Sequence, residues 1–484
     1  MNDELQLLRE VFQYEVAPDA SAMEHLDRGL KSAFAGEEVS NVRPLRRGRS
    51  TYIVRQRLAL IAGAAALVIG GVVVSVGGIG SQTVASASPF HLASYVTIPG
   101  FHASSQTIQF ANNVTCPTST DCYLEARHMQ APTAAAGNNV YFSGNGGSSW
   151  QQLVLPSGVY ADTTLTCTSS QQCSFGGGQF NGVDSNGKPI MEPVLVSTSD
   201  GGSSWSVANL PLPTNGSLEL LGNTAIGSLQ CVSASSCDAV LLANFTGPGY
   251  SSVVDNFFMQ TTDRGRNWSS EIMPGQPAPG VQGAEPTGSP INTNAMSCPT
   301  MQFCVASTFW SSSSDGETSI VWRTVNGGAT WSISSLPNGL LSPGPISCPD
   351  TKHCWIIAYP PASGAGGELL ESSDGGASWV DRTPPETAST TSWRSMSCPT
   401  DNNCWLGGNV TGSNSASVVY VSSDAGQTWN EADLPTSVGA ESAPLKGIDT
   451  IDCNANLTCI VLGIPQGVSE DGVNEAVLSN AAAR

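Results

Sequence analysis

The chain has 484 residues, 51 of them glycine and only 12% charged, and its 19 basic against 39 acidic residues give a net charge of −20. Few charges and many glycines describe a β-rich chain with tight turns. Residues 1–57 hold nine Lys or Arg and nine Asp or Glu, so the rest carries the whole negative charge, which excludes a phosphate backbone as partner.

Residues 3–16 and 20–35 carry apolar residues at helical spacing on either side of Pro18, which predicts two short amphipathic helices. Arg43, Arg46, Arg47, Arg49, Arg55 and Arg57 follow, and then no charge occurs from Leu58 to Ile79. At about 1.5 Å per residue, a helix there crosses a hydrocarbon core of about 30 Å. The next basic residue is Arg127, and this asymmetry puts the N-terminus in the cytoplasm and the remainder outside. A signal peptide cleaved at Ala85-Ser86-Ala87 is the rival reading. The polar lead of 57 residues and the long apolar run argue against it. The expected organisation is a cytoplasmic segment 1–57, a transmembrane helix 58–80 in contact with the lipid bilayer, a linker 81–93, an extracellular β domain 94–480 and a tail 481–484.

All 14 cysteines lie beyond the apolar span, in pairs six residues apart. They are Cys116 and Cys122, Cys167 and Cys173, Cys231 and Cys237, Cys298 and Cys304, Cys348 and Cys354, Cys398 and Cys404, Cys453 and Cys459. An even count at one repeated spacing beyond a membrane anchor predicts disulfides in an oxidising compartment. A metal site would need thiolates and histidines converging in fours. His91, His102, His128 and His353 show no such pattern, so no metal or cofactor is expected. Each pair brackets a turn, and a hairpin brings such positions opposite each other. Closing so short a loop stabilises by about 2 kcal/mol per bridge.

The pairs open seven repeats. Two residues before each first cysteine stands an apolar residue: Val114, Leu165, Leu229, Met296, Ile346, Met396 or Ile451. In six repeats a second motif follows, Ser/Thr-x-Asp/Asn-x-Gly-x-x-Trp, with key residues Asn145 and Trp150, Asp200 and Trp205, Asp263 and Trp268, Asn326 and Trp331, Asp374 and Trp379, and Asp424 and Trp429. An Asx side chain bonding backbone N–H groups ahead of it, with glycine supplying positive φ, makes a hairpin turn. The Trp then returns on the next strand to fill the space between layers. A repeat thus reads as four strands, one propeller blade, and seven repeats predict an all-β, seven-bladed β-propeller that is monomeric.

Ser372-Ser373-Asp374-Gly375-Gly376-Ala377-Ser378-Trp379 and its siblings resemble the Asp-box (BNR) repeats of sialidase-like propellers, which occur also in sortilin-type receptors, some glycanases and a photosystem II assembly-factor family. The resemblance covers about residues 94–480. It implies the fold, while the box itself is a turn and implies no site. The seventh repeat ends at Glu475–Asn480 without its Trp and last strand, whereas Tyr95-Val96-Thr97-Ile98-Pro99 matches such a strand with no repeat before it. The N-terminal strand is therefore expected to complete the last blade and close the ring, which removes exposed sheet edges.

Sialidases of that family place an arginine in an Arg-Ile-Pro element near the start of the propeller. Thr97 stands there in this chain, and the arginines beyond the span are Arg127, Arg264, Arg266, Arg323, Arg382, Arg394 and Arg484. The tripeptides before the first cysteines, NVT, TLT, SLQ, AMS, PIS, SMS and TID, predict a channel wall that is small and mostly neutral. Two carboxylates across a cleft would make a glycoside hydrolase, and Asp449, Asp452 and Glu125 are the candidates. Trp393 and Arg394, an aromatic beside a cation, are the ligand-binding candidates, with Arg127. Trp355 and Trp405 repeat at one position and so are read as core. The leading expectation is a non-catalytic, surface-anchored propeller that binds a glycan, peptide or envelope protein. A glycoside hydrolase on the same frame and an assembly factor for a membrane complex are the alternatives.

Overall fold

The computed structural model describes residues 66–69, 72–75 and 90–480, the last without 98–108, 129–138, 162, 164, 184–188, 215–218, 248–249, 275–294, 313–315, 341–343, 361–366, 385–390, 411–415, 436–444 and 466–473. Residues 1–57, with the two expected helices, and the tail 481–484 lie outside the described residues. The chain divides into two compact units, Met1–Ala85 and Ser86–Arg484.

In the first unit, Ala66–Ile69 and Val72–Ser75 pair as an antiparallel hairpin with Ile69 opposite Val72. The helix expected over 58–80 is not seen at those eight residues. Leu67, Val68 and Ile69 and then Val72, Val73 and Val74 are largely β-branched, and a Gly-Gly pair separates the two runs in the sequence, which is also the pattern of a two-residue β-hairpin. Among the described residues no helix is long and apolar enough to cross a membrane.

The second unit is the seven-bladed propeller. Blade 1 consists of Gln109–Thr115, Cys122–His128, Asn139–Ser143 and Gln151–Leu153. Blade 4 is Ala295–Thr300, Phe303–Ser312, Gly316–Thr324 and Ser332–Ser334, blade 5 Ile346–Ser347, Cys354–Ala358, Glu368–Ser372 and Val380–Asp381, and blade 6 Thr391–Ser397, Cys404–Val410, Ser417–Ser422 and Asn430–Glu431. Each is a four-stranded antiparallel meander in chain order. Blades 2 and 3 are different. Their strands Gln172–Val183, Pro189–Thr198, Glu219–Cys231, Cys237–Gly247 and Tyr250–Thr261 are longer. A parallel contact between Met191 and Asn223 joins both blades into one sheet.

Blade 7 takes Leu445–Cys453, Cys459–Pro465 and Asn474–Ser479 from the C-terminus and His91–Thr97 from the start of the unit. His91 pairs with Ser479 and Thr97 with Asn474. The predicted clasp is present, and it begins at His91, ahead of residue 94.

Seven core clusters lie between successive blades, and each contains one of the apolar residues two places before a first cysteine. Val114 sits with Ile460, Leu462 and Val477 where blade 7 meets blade 1, and Ile451 with Trp405, Val419 and Val421 where blade 6 meets blade 7. Leu165, Leu229, Met296, Ile346 and Met396 take the same place at the other seams. One apolar residue in this register therefore fixes how each blade stacks on its neighbour.

Candidate functional site

The two ends of the blades are built differently. At one end lie the hairpin joining the first and second strands and the box turn joining the third and fourth. All seven predicted disulfides close the former, with Cα separations of 4.0 to 4.2 Å. In the box of blade 5, the Ser372 hydroxyl donates to Asp374 Oδ1 at 2.8 Å and accepts the Gly376 N–H at 2.7 Å, while Asp374 accepts the N–H and hydroxyl of Ser378. The Ser378 hydroxyl, first among these donors, holds the Asp374 carboxyl down at about 2. Asn145 and Asn326 make the same turn without a charge, their amides donating to Ser149 and Thr330. One box N–H per blade then donates to the disulfide hairpin, as Gly327 does to Gln302 O at 2.9 Å and Ala425 to Asn402 O at 3.0 Å. Blade 7 has no box. There the Asn480 side chain accepts the Cys459 N–H at 2.7 Å and donates to Leu457 O at 3.2 Å.

The inner strands carry a further bond that runs around the ring. The residue before a first cysteine accepts the N–H of the first cysteine one blade on: Gln230 from Cys298, Ser297 from Cys348, Ser347 from Cys398 and Ser397 from Cys453. Asp452 belongs to this set. Its Oδ2 accepts the Cys116 N–H at 2.7 Å and so joins the last blade to the first. Burial pushes its carboxyl up to about 6 against the hydrogen bonds it receives. That bond gives the position a structural part at the seam.

The opposite end receives the connections between second and third strands and between blades. Toward this end four inner strands carry a β-bulge four residues before the first cysteine, at Asn112, Gly227, Arg394 and Asp449. A bulge re-aims the extra residue away from the ladder. The glycines opposite make room: a Cβ on Gly408 would meet the Trp393 ring at 2.7 Å, and one on Gly463 the Gly447 carbonyl at 2.5 Å.

Two of the four bulge residues are charged, and they occupy adjacent blades. Arg394 is exposed, and its field reaches both Asp449 and the Tyr359 hydroxyl. Burial pushes the Asp449 carboxyl up to about 6, with Arg394 pulling the other way. Asp449 Oδ2 is buried and receives no hydrogen bond. Beneath them Trp393 is fully buried, its ring edge-on to Tyr420 at 5.8 Å, and its carbonyl accepts the Tyr359 hydroxyl at 2.7 Å. Trp393 therefore offers no ring to a ligand, which corrects that expectation; it supports the bulge that presents Arg394. Trp355 and Trp405 are core, as expected. Glu125 is buried on the second strand of blade 1, opposite Asn113. Arg127 lies on the same strand, opposite Phe110, with its side chain outside the described residues. Of the sequence candidates the structure thus brings together Arg394 and Asp449 and turns Asp452 to other work.

One buried carboxylate went unnoticed in the sequence. Asp238 follows a second cysteine, where other blades carry Val305, Trp355 or Ile460, and it is fully buried at the seam of blades 3 and 4. Burial pushes it up to about 7, against a hydrogen bond from Gln260 at 2.8 Å. Its neighbours Cys298 and Cys304 complete a cluster with the spacing of metal ligands. Both sulfurs are joined in a disulfide, leaving no thiolate to bind a metal.

No protein-family model matches the chain and no curated protein is similar to it in sequence. Similar folds occur among solved structures. A YCF48 bound to D1 peptide is 16% identical, with 80% of this chain and 94% of that one covered at a TM-score of 0.43. The GH74 enzyme of Niastella koreensis is 14% identical over 76% of this chain and 54% of its own, at 0.46, so this chain spans about half of that enzyme. The Hadza microbial sialidase Hz136 is 13% identical over 75% and 74%, at 0.36. These likenesses concern the fold alone.

Proposed function

We propose that the chain is a membrane-tethered recognition propeller, its uncharged span 58–80 serving as the anchor and the looped end of its ring meeting an extracellular glycan or protein. The division of the ring into two ends carries this reading. One end is locked in every blade by a disulfide and, in six, by a box turn as well. The other holds the variable connections and the oppositely charged bulge residues Arg394 and Asp449, the arrangement of a rigid frame that displays binding loops. Disulfides in every blade and no free cysteine fit an oxidising compartment, and the arginines before residue 58 favour an N-terminus held in the cytoplasm. Glycan and peptide arrays probed with the full-length protein in detergent test recognition, and binding that survives replacement of all the looped-end connections would overturn it. Resistance of the protein to alkaline extraction from membranes tests the anchor, and a mature N-terminus at Ser88 would overturn that part.

A glycoside hydrolase is the second reading, favoured by one observation: an Asp449 carboxyl raised to about 6 suits a general acid. Its sequence partner Asp452 is engaged at the blade seam, which ranks this reading second. Hydrolysis of any member of a polysaccharide panel, abolished by Asp449→Asn, would reverse the order.

A further inference from the structure

Arg394 and Asp449 hold the same bulge position on neighbouring inner strands, whereas the other two bulges hold Asn112 and Gly227. They are close enough to interact electrostatically. Even so, Arg394 forms no ion pair within 4.0 Å among the described residues. Asp449 Oδ2, for its part, is a buried acceptor with no donor. A guanidinium in want of an anion beside a carboxylate in want of a donor is complementary to a ligand carrying both on neighbouring atoms.

The chemistry narrows the class of ligand. A peptide would be held by an aromatic or aliphatic anchor in a pocket. The tryptophan beside the pair is fully buried and the Tyr359 hydroxyl is bonded to its carbonyl. Charge and hydrogen bonding are what the surface offers. We propose that Arg394 and Asp449 form a subsite for a carboxylated sugar, in which the guanidinium takes the ring carboxylate and Asp449 Oδ2 accepts an adjacent ring hydroxyl. This deepens the recognition reading and rests on it.

Arg394 of blade 6 faces Asp449 of blade 7, with the Tyr359 hydroxyl of blade 5 next to Arg394. Lys446 is the other cation, on the strand of Asp449, with its side chain outside the described residues. As Asp449 takes up a proton below about pH 6, Arg394 loses its internal competitor for an anion. Affinity for a sugar carboxylate, which stays ionised at pH 5, therefore rises several-fold between pH 7.5 and pH 5.

The test is calorimetric titration of the full-length protein with a galacturonate trimer, with its methyl ester and with an N-acetylated tripeptide acid. The expected result is trimer binding at least tenfold tighter than ester or peptide, loss of that margin in Arg394→Gln, and loss of the pH dependence in Asp449→Asn. Arg394 is exposed, and an unchanged thermal midpoint in R394Q shows that any loss is not misfolding. Equal binding of acid and ester, or full binding by R394Q, overturns the subsite. Peptide acid binding as tightly as the trimer overturns the sugar assignment. Array ligands held equally by wild type and R394Q would sink the subsite and leave recognition standing, while an array with no ligand at all would sink both.

Discussion

The stapled end and the looped end of this ring are made of the same strands, yet they obey different rules. At the stapled end every blade repeats the disulfide hairpin and six repeat the bonds of the box, and the sequence is constrained wherever a Cβ or an acceptor would be out of place. At the looped end the strands run to different lengths, and blades 2 and 3 alone fuse. The contrast teaches that the bonds holding the blades concentrate at one face, and under the proposed function recognition falls to the other. Mutations should therefore sort by end: stapled-end changes should lower stability and leave binding intact, and looped-end changes should do the reverse.

The strongest way to break this comparison is to remove the clasp. Deletion of residues 91–100 takes away the fourth strand of blade 7, and the truncated protein should lose its cooperative thermal transition. Deletion of 81–89 should leave it; equal midpoints would refute closure by that strand. Next come the second box glycines. A Cβ on Gly328 would meet the Phe258 ring at 2.4 Å with φ at +82°, so Gly328→Ala should destabilise by roughly 3 kcal/mol in chemical denaturation. Gly327→Ala should cost only about 1 kcal/mol, because Ala425 and Arg264 already hold the equivalent site at φ of 57° and 64°.

Asp238 sharpens the comparison through pH. Burial raises its folded pKa to about 7, so the stability gained by protonation is complete below about pH 4 and is lost as the pH rises through 7. Asp238→Asn stays neutral throughout and should exceed the wild type by up to about 4 kcal/mol at pH 8, with little difference at pH 4. Unfolding curves at both values check this, and a constant offset would refute it. Box carboxylates act in the opposite sense. Asp374 titrates at about 2 when folded, so its contribution disappears as the pH falls from about 4 to 2; Asp374→Asn, imitating blades 1 and 4, should flatten that limb. The smallest effect belongs to the looped end. Shortening the 129–138 connection by a few residues should alter stability by no more than about 0.5 kcal/mol.

Much of the frame was legible because its signals are local. The six-residue cysteine spacing, the box and the apolar residue two places before each first cysteine each act within one hairpin, and the unmatched Tyr95–Pro99 strand announced the clasp. At 66–69 and 72–75 strands stand where the sequence suggests a helix, because length and hydropathy alone do not separate a membrane helix from paired β-branched runs. The seam bond of Asp452 was not legible because the N–H it serves is 336 positions away in the chain. Arg394 and Asp449 were visible as charges in a neutral wall, while their pairing was not, since a bulge is a matter of register between strands. Asp238 left one trace, an acid at a position where no sibling repeat carries a charge.

The closing strand has one more consequence. Phe90 and Asn480 both lie at the stapled end, where Phe90 is buried and bonded to Asp433 O at 3.1 Å. Tension between a ligand held at the far face and the chain leading into Phe90 would run along the axis of His91–Thr97, loading its rungs together rather than peeling them one by one. Such a ring resists being pulled apart through the chain that enters it at Phe90.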